Sequence, residues 1–357
     1  MSQSVLAEWQ DRIRAAASSN TPLRIRGGGT KDFYGQALIG EILDTTDYAG
    51  IVDYDPTELV ITARAGTPLG ELETALSAAG QMLAFEPPHF GADATLGGAI
   101  AAGLSGPRRP YAGSVRDLML GLRVIDGAGE DLSFGGRVMK NVAGFDVARM
   151  MTGALGTLGV IAEASLKCLP LPKAERTRVI ECAADAAIRL VNEWGGRPLP
   201  LSATCHSDGR LAVRLSGAMP AVDAAIAQIG GEPLADATAF WTSVREQTHR
   251  HFAASAAAPL WRLSVRSTAP FVDLGGAQLI EWGGALRWVS ADERADAAPI
   301  REWARQNGGH ATLFRAADKS AGAFAPLPES LRGLHRRIKA GFDPAGILNR
   351  GRLYAEF

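Results

Sequence analysis

Apolar residues recur at two different periods along this chain, and the changes of period mark its elements. In the polar stretch Met1 to Asn20, Val5, Leu6, Trp9 and Ile13 share one face at helical spacing, which predicts an amphipathic helix. Pro22-Leu23-Arg24-Ile25 reads as a short strand, and Glu58 to Ala63, rich in β-branched residues, as another. Pro68 to Ala79 predicts a helix: Leu69, Leu72, Ala75 and Leu76 recur every three or four residues, proline sits in the first turn, and Gly80 stops it. Leu118 to Ile125 predicts a strand that ends in the hairpin-type turn Asp126-Gly127-Ala128-Gly129.

The texture changes at Leu169-Pro170-Leu171-Pro172-Lys173, which reads as a domain linker because proline continues neither a helix nor a central strand. Beyond it, strands (Thr177 to Cys182, Leu211 to Leu215, Trp261 to Val265, Ala285 to Val289) alternate with helices (Ala183 to Trp194, Met219 to Ile229, Ala298 to Asn307), an α+β pattern. Every tryptophan except Trp9 lies in this part of the chain. A basic helix, Leu334 to Ala340, then ends at Gly341 and leads into the tail Asn349-Arg350-Gly351-Arg352-Leu353.

Two glycine-rich segments carry the candidate chemistry: Arg26-Gly27-Gly28-Gly29-Thr30-Lys31 and Thr95-Leu96-Gly97-Gly98-Ala99. Successive glycines let backbone N–H groups converge on one point, a concave nest that suits an anion. Two nests suggest a ligand with two phosphates; either segment alone reads equally well as a tight turn. A Walker loop is excluded, because Thr30 precedes Lys31 and Asp32-Phe33-Tyr34-Gly35 opens no helix. A Rossmann fingerprint is excluded too: Gly153, Gly156 and Gly159 have the wrong spacing and lead into a strand, Val160 to Leu166.

Composition narrows the class further. The chain has 357 residues, room for two domains, and a net charge of -1, which argues against a nucleic-acid footprint. Cys168, Cys182 and Cys205 form no metal-ligand spacing and read as small buried hydrophobes of a reducing compartment. The N-terminal segment lacks a signal-peptide core, and no apolar run reaches transmembrane length. The expectation is a cytoplasmic protein, with peripheral membrane association only through partners.

With both glycine segments, the Lys140 to Asp146 stretch and the tail in view, the chain is identified as a member of the vanillyl-alcohol oxidase and p-cresol methylhydroxylase (PCMH) flavoprotein superfamily. Within it, the chain resembles the FAD-binding subunits of bacterial glycolate oxidases over nearly its whole length. The resemblance implies a PCMH-type FAD-binding domain of two α+β subdomains over residues 1–168. An α+β cap domain over 169–325 and a C-terminal segment over 326–357 that returns to the flavin domain would follow. It places the FAD pyrophosphate on Gly27, Gly28, Gly29, Thr30 and Lys31, and the diphosphate and ribityl chain on Thr95, Gly97 and Gly98, with Gly103 and Ser105 downstream. Tyr111, Gly113, Ser114 and Asp117 match a motif of aromatic, glycine, hydroxyl and acid. Lys140, Asn141, Gly144 and Asp146 match a flavin-contact motif. Gly156, Val160 and Ile161 fall in the segment whose backbone meets the adenine side, and Asn349 in the family's tail turn, here without its usual proline. Members that tether FAD covalently use a histidine where this chain has Gly29, so the resemblance implies noncovalent FAD.

Many 2-hydroxyacid dehydrogenases of the superfamily carry a histidine-rich metal site in the cap. His89, His206, His249, His251, His310 and His335 do not fall in that arrangement, and no metal ligand is expected. His249 and His251 lie in a segment, Thr248 to Phe252, that reads as helix, where neighbours two apart diverge. The resemblance instead implies an assembly with a paralogous catalytic flavoprotein and an iron–sulfur subunit, oxidising glycolate to glyoxylate. No ferredoxin-type cysteine run is present, so any cluster belongs to another polypeptide. One of Arg108 and Arg109 is a candidate for holding a substrate carboxylate or a phosphate, since guanidinium binds either with paired hydrogen bonds, and Arg262 is a candidate to project from a cap strand toward the flavin. A solvated loop or an inter-subunit contact accounts for Arg109 equally well. Two other functions remain open on sequence: a self-sufficient FAD-dependent dehydrogenase or oxidase of another hydroxyacid or alcohol, and a non-catalytic assembly subunit.

Overall fold

The apolar stripe of the N-terminal segment becomes the helix Ser2–Ser19 in a computed structural model that describes residues 2–136, 145–253, 258–291 and 296–357. Leu6, Trp9, Ile13 and Ala16 are buried at its inner face with Leu23, Leu43, Ile125, Val160, Ile347 and Leu348. Trp9 meets Tyr48 edge to face at 5.5 Å. The chain divides into two units. The first comprises Met1–Leu104, Ser114–Leu171 and Pro326–Phe357; the second, Ser105–Gly113 and Pro172–Ala325.

In the first unit, Leu23–Arg26 and Glu41–Asp44 pair in parallel. An antiparallel five-stranded sheet runs in the order Ile51–Asp55, Val60–Arg64, Val160–Lys167, Met119–Ile125 and Asp131–Gly135. The helix Leu69–Ala78 buries Leu69, Leu72 and Leu76, the periodic positions of the sequence, behind Pro68 as N-cap. In the second unit, an antiparallel eight-stranded sheet runs Glu232–Pro233, Ala174–Glu181, Arg210–Gly217, Leu201–Ser207, Gly276–Glu281, Leu286–Ala291, Leu260–Ser264 and His310–Arg315. The amphipathic helices Ala184–Gly195, Met219–Ile229 and Ala297–Gln306 cover it.

Several expectations need correction. Residues 105–113, read with the flavin domain, belong to the second unit: Trp282 Nε1 donates to the Gly106 carbonyl at 3.1 Å, and Arg108 pairs with Glu175 at 2.7 Å. Leu201–Ser207, Gly276–Glu281 and His310–Arg315 are strands that the apolar pattern did not mark. Leu201–Ser207 is buried at every position yet carries Ser202, Thr204 and His206. Ser202 and Ser216 share a 2.6 Å hydroxyl bond, and His206 Nε2 meets the Cys182 carbonyl at 2.9 Å. Cys168 and Cys205 are buried, whereas Cys182 is half-buried. The basic helix of the tail is longer than its periodicity suggests, Glu329–Phe342.

That helix ends in a buried ion pair. Lys339 Nζ donates to Asp343 Oδ2 at 2.6 Å, to Thr157 O at 2.7 Å and to Leu348 O at 2.9 Å. Asp343 in turn accepts from the amides of Ile347 and Leu348 at 3.1 and 2.8 Å. Leu348 then bridges to Leu23 as a parallel partner, so the tail becomes a neighbour of the first strand. Removing one member of a buried pair strands the other charge. Asp343→Ala is expected to destabilise the protein by about 3–5 kcal/mol, read by urea unfolding. Gly70 lies exposed in the helix Leu69–Ala78, and a Cβ there meets nothing within 4 Å. Gly70→Ala is expected to stabilise by about 0.5–1 kcal/mol in the same assay.

Candidate functional site

The first glycine segment leaves the strand Leu23–Arg26 and runs along an open cleft within the first unit. Its wall includes Gly27, Gly28, Gly29, Thr30 and Lys31, together with Thr95, Gly97, Gly98, Gly156, Ile161 and Asn349. The fold thus gathers residues from the first strand, the middle of the chain and the tail.

The two glycine segments differ in what their amides do. Among the described residues, the N–H groups of Gly27, Gly28, Gly29 and Thr30 donate to no protein acceptor. The second segment is already committed: Leu96 N donates to Thr67 O at 2.9 Å, Gly97 N to Ala65 O at 2.8 Å, and Gly98 N to Thr95 Oγ1 at 3.3 Å. Thr95 is the N-cap of the helix Leu96–Ala102. The expectation of two amide nests is corrected to one nest and one helix cap.

Each glycine is required for its own reason. A Cβ on Gly28 would overlap the Asp93 carbonyl, which is backbone and cannot yield, and Gly28 does not have positive φ. Gly29 does, at φ +72°, and its Cβ would meet the Arg26 guanidinium. A Cβ on Gly97 would lie 2.7 Å from the Ala65 Cβ. The carbonyls of Ala65 and Thr67 hold this second segment close by accepting its amides, and so close an approach admits no side chain on Gly97.

Charge in the cleft is predominantly positive. Arg26, Lys31 and Arg352 line it against the single carboxylate of Asp32. Arg24 and Arg26 both pair with Asp32, Arg26 at 3.1 Å. Lys31 Nζ donates to the His89 carbonyl at 3.2 Å and lies 5.6 Å from the Phe90 ring. Arg352 donates to the backbone carbonyls of Asp32, at 2.8 Å, and of Gln36. Burial pushes its guanidinium down to about 10, against the opposing pull of Asp32. Arg26 and Arg352 did not emerge from the sequence as site residues; the signal was a basic residue three places beyond Asn349. Asn349, at φ +41°, accepts from Ile25 N at 2.7 Å and donates to Leu155 O at 2.6 Å.

Other expected site residues lie elsewhere. Gly103 is the left-handed C-cap of Leu96–Ala102, and Ser114 and Asp117 form a reciprocal capping box. Val160 is wholly buried in the core, and Asp146 lies exposed in the first turn of the helix Phe145–Met151. Ser105, Tyr111 and Gly113 belong to the second unit. Lys140, Asn141 and Gly144 lie outside the described residues.

In the second unit, Arg108 is structural: it is buried on Glu175, which also accepts from Ser216 Oγ at 2.7 Å. Burial would raise the Glu175 carboxyl, but Arg214, Ser216 and Arg108 outweigh it and hold it below its ordinary value. Arg109 and Arg262 both lie over one indole, Trp282, at 4.5 and 5.1 Å from the ring centre. Among the described residues, no group of three or more His, Cys, Asp or Glu is placed to hold a metal ion.

Residues 5–135 match the family model described as FAD binding domain, which makes FAD the cofactor. The chain is 49% identical over 97% of its length to the Escherichia coli glycolate oxidase subunit GlcE, covering 96% of that protein. It is 30% identical over 51% of its length to the Bacillus subtilis glycolate oxidase subunit GlcD, covering 39% of it. Among solved structures, an alkyldihydroxyacetonephosphate synthase superposes with a TM-score of 0.63 at 15% identity, over 95% of this chain and 74% of that one, a likeness of fold.

Gly28→Ala is expected to destabilise the protein by about 1–3 kcal/mol even without ligand, because the clash is with backbone. Thermal unfolding of the variant checks this, and its flavin absorbance per chain is expected to fall in parallel.

Proposed function

The chain belongs to the family of the Escherichia coli glycolate oxidase subunit GlcE, and on that premise we propose that it is the FAD-binding subunit of a complex that oxidises glycolate to glyoxylate. Removal of hydrogen from the hydroxyacid releases two electrons and two protons. Bound FAD supplies an acceptor for both electrons that can return them one at a time.

The observation that carries the reading is the row of four amides, Gly27 to Thr30, without a protein acceptor among the described residues. Such amides form a ready anion site. Arg26, Lys31 and Arg352 against Asp32 leave an excess of positive charge beside them, which suits the two charges of a diphosphate. Ile25, Leu38, Leu155 and Ile161 supply apolar wall for a ring system. The residues present fit the cofactor. Gly29 stands where covalent members carry histidine, and the cofactor is held noncovalently.

The partners are a paralogous flavoprotein that resembles GlcD and an iron–sulfur subunit that carries the electrons away. Among the described residues no helix is long and apolar enough to cross a membrane. In this reading the complex works in the cytoplasm and reaches the inner face of the membrane through its partners.

Hydrogen exchange of the full chain with and without FAD tests the assignment. The amides of Gly27 to Thr30 are expected to gain protection on loading, whereas those of Leu96 and Gly97 are protected in both states. Equal exchange at Gly27 to Thr30 in the two states would remove the diphosphate from this nest. Glycolate-dependent reduction of an artificial acceptor by the reconstituted complex, absent when this subunit is omitted, tests the activity.

A further inference from the structure

The segment that lies against the glycine nest is strained. Glu86 and Phe90 have φ values of +48° and +55°, angles that residues with a side chain rarely adopt. Glu86 also precedes Pro87, a position that favours extended backbone. Such a segment persists only where its surroundings over-determine it, and strain of this kind gathers at ligand sites. The surroundings are evident: Pro87 and Pro88 are buried, and Phe90 meets Phe33 edge to face at 5.5 Å.

This strap touches the nest at three places. The Asp93 carbonyl fills the space that a Cβ on Gly28 would need. Gly91 approaches Thr30 so closely that a Cβ on it would lie 3.1 Å from Thr30 Cγ2. The His89 carbonyl accepts from Lys31 Nζ at 3.2 Å, and the Phe90 ring lies 5.6 Å from the same atom. Lys31 Nζ also donates to Thr30 Oγ1 at 3.3 Å, which sets the ammonium beside the last residue of the nest. The strap is anchored in turn: His89 Nε2 donates to Oε1 of Glu73, on the helix Leu69–Ala78, at 3.1 Å. A chain of contacts therefore runs from Glu73 through the ring and the carbonyl of His89 to Lys31 and Thr30, all within the first unit.

We propose that His89, anchored by Glu73, is a positioning residue for FAD: it holds the Lys31 ammonium beside the nest before the diphosphate arrives. The proposal rests on placing the diphosphate at Gly27 to Thr30. Lysine has a flexible four-carbon stem, and its freedom is lost when a ligand fixes the ammonium. Fixing it beforehand on a carbonyl and an aromatic ring moves that cost from binding to folding, which is the gain of preorganisation. The positive φ of Phe90 directly follows the His89 carbonyl, so the strain lies at the group that holds Lys31.

Equilibrium dialysis of the full chain against FAD tests this. Glu73→Ala and His89→Ala are each expected to weaken binding about five- to tenfold, the range of one net hydrogen bond. The double variant is expected to bind no more weakly than either single one, because both cut one chain of contacts. Lys31→Met is expected to weaken binding by at least as much, and in that background Glu73→Ala changes it less than twofold. A loop merely pinned by Glu73 would lose the same factor in both backgrounds. Glu71→Ala, exposed on the same helix, leaves binding unchanged. Near-UV circular dichroism reports folding, and Glu73→Ala, on a helix that favours alanine, decides the matter should His89→Ala fail to fold. Binding within twofold of wild type in Glu73→Ala overturns the proposal. So does unchanged binding in Lys31→Met, or an equal loss from Glu73→Ala with and without Lys31. Amide exchange of the wild-type chain separates the two readings. Protection at Gly27 to Thr30 with unchanged affinity in the variants removes the role of His89 and leaves the nest; no protection there removes the nest and this proposal with it.

Discussion

The side-chain amide of Asn349 joins the two ends of this chain. It accepts from Ile25 N and donates to Leu155 O, binding the tail, the first strand and the Gly156 turn at once. Arg352, just beyond the tail turn, then reaches the carbonyls of Asp32 and Gln36 on the far side of the glycine loop. The loop is thus held from outside, and its amides are left for a ligand. Lys339 and Asp343 set the tail in place by satisfying one another and the surrounding backbone in a buried site, where an imperfect pair would be costly.

The two glycine segments look alike as strings and act differently in the fold. At Gly28 the constraint is the Asp93 backbone, at Gly29 a positive φ, and at Gly97 the Ala65 side chain. Only in the first segment, at Gly27, Gly28, Gly29 and Thr30, are amides free of protein acceptors among the described residues. Tracing each backbone donor to its acceptor separates an anion nest from a helix cap where composition does not.

Polar groups organise the second unit as much as its apolar core does. Glu175 gathers Arg108 and Ser216, Asn192 and Thr204 hold the Trp282 turn, and Arg287 ties Gly284 and Ala269. Each group satisfies backbone or charge that burial would otherwise strand in an apolar medium. Arg109 and Arg262 also lie on an aromatic surface, the Trp282 ring.

Local patterning determined much of the chain by itself. The stripe Leu6, Trp9 and Ile13, the periodic leucines of Leu69–Ala78 and the helix Met219–Ile229 are legible because burial on one face imposes a period on the sequence. The glycine nest and the tail were legible as motifs, since few residues other than glycine tolerate positive φ or close backbone approach. Tertiary structure alone decided the strand Leu201–Ser207, whose serines, threonine and histidine are buried against partners remote in sequence. It alone decided that Arg108 is structural and Arg352 lines the cleft, and that the amides of the second glycine segment are taken. The physical reason is the same in each case: the sequence states which groups a residue carries, but their partners are fixed only when distant segments meet.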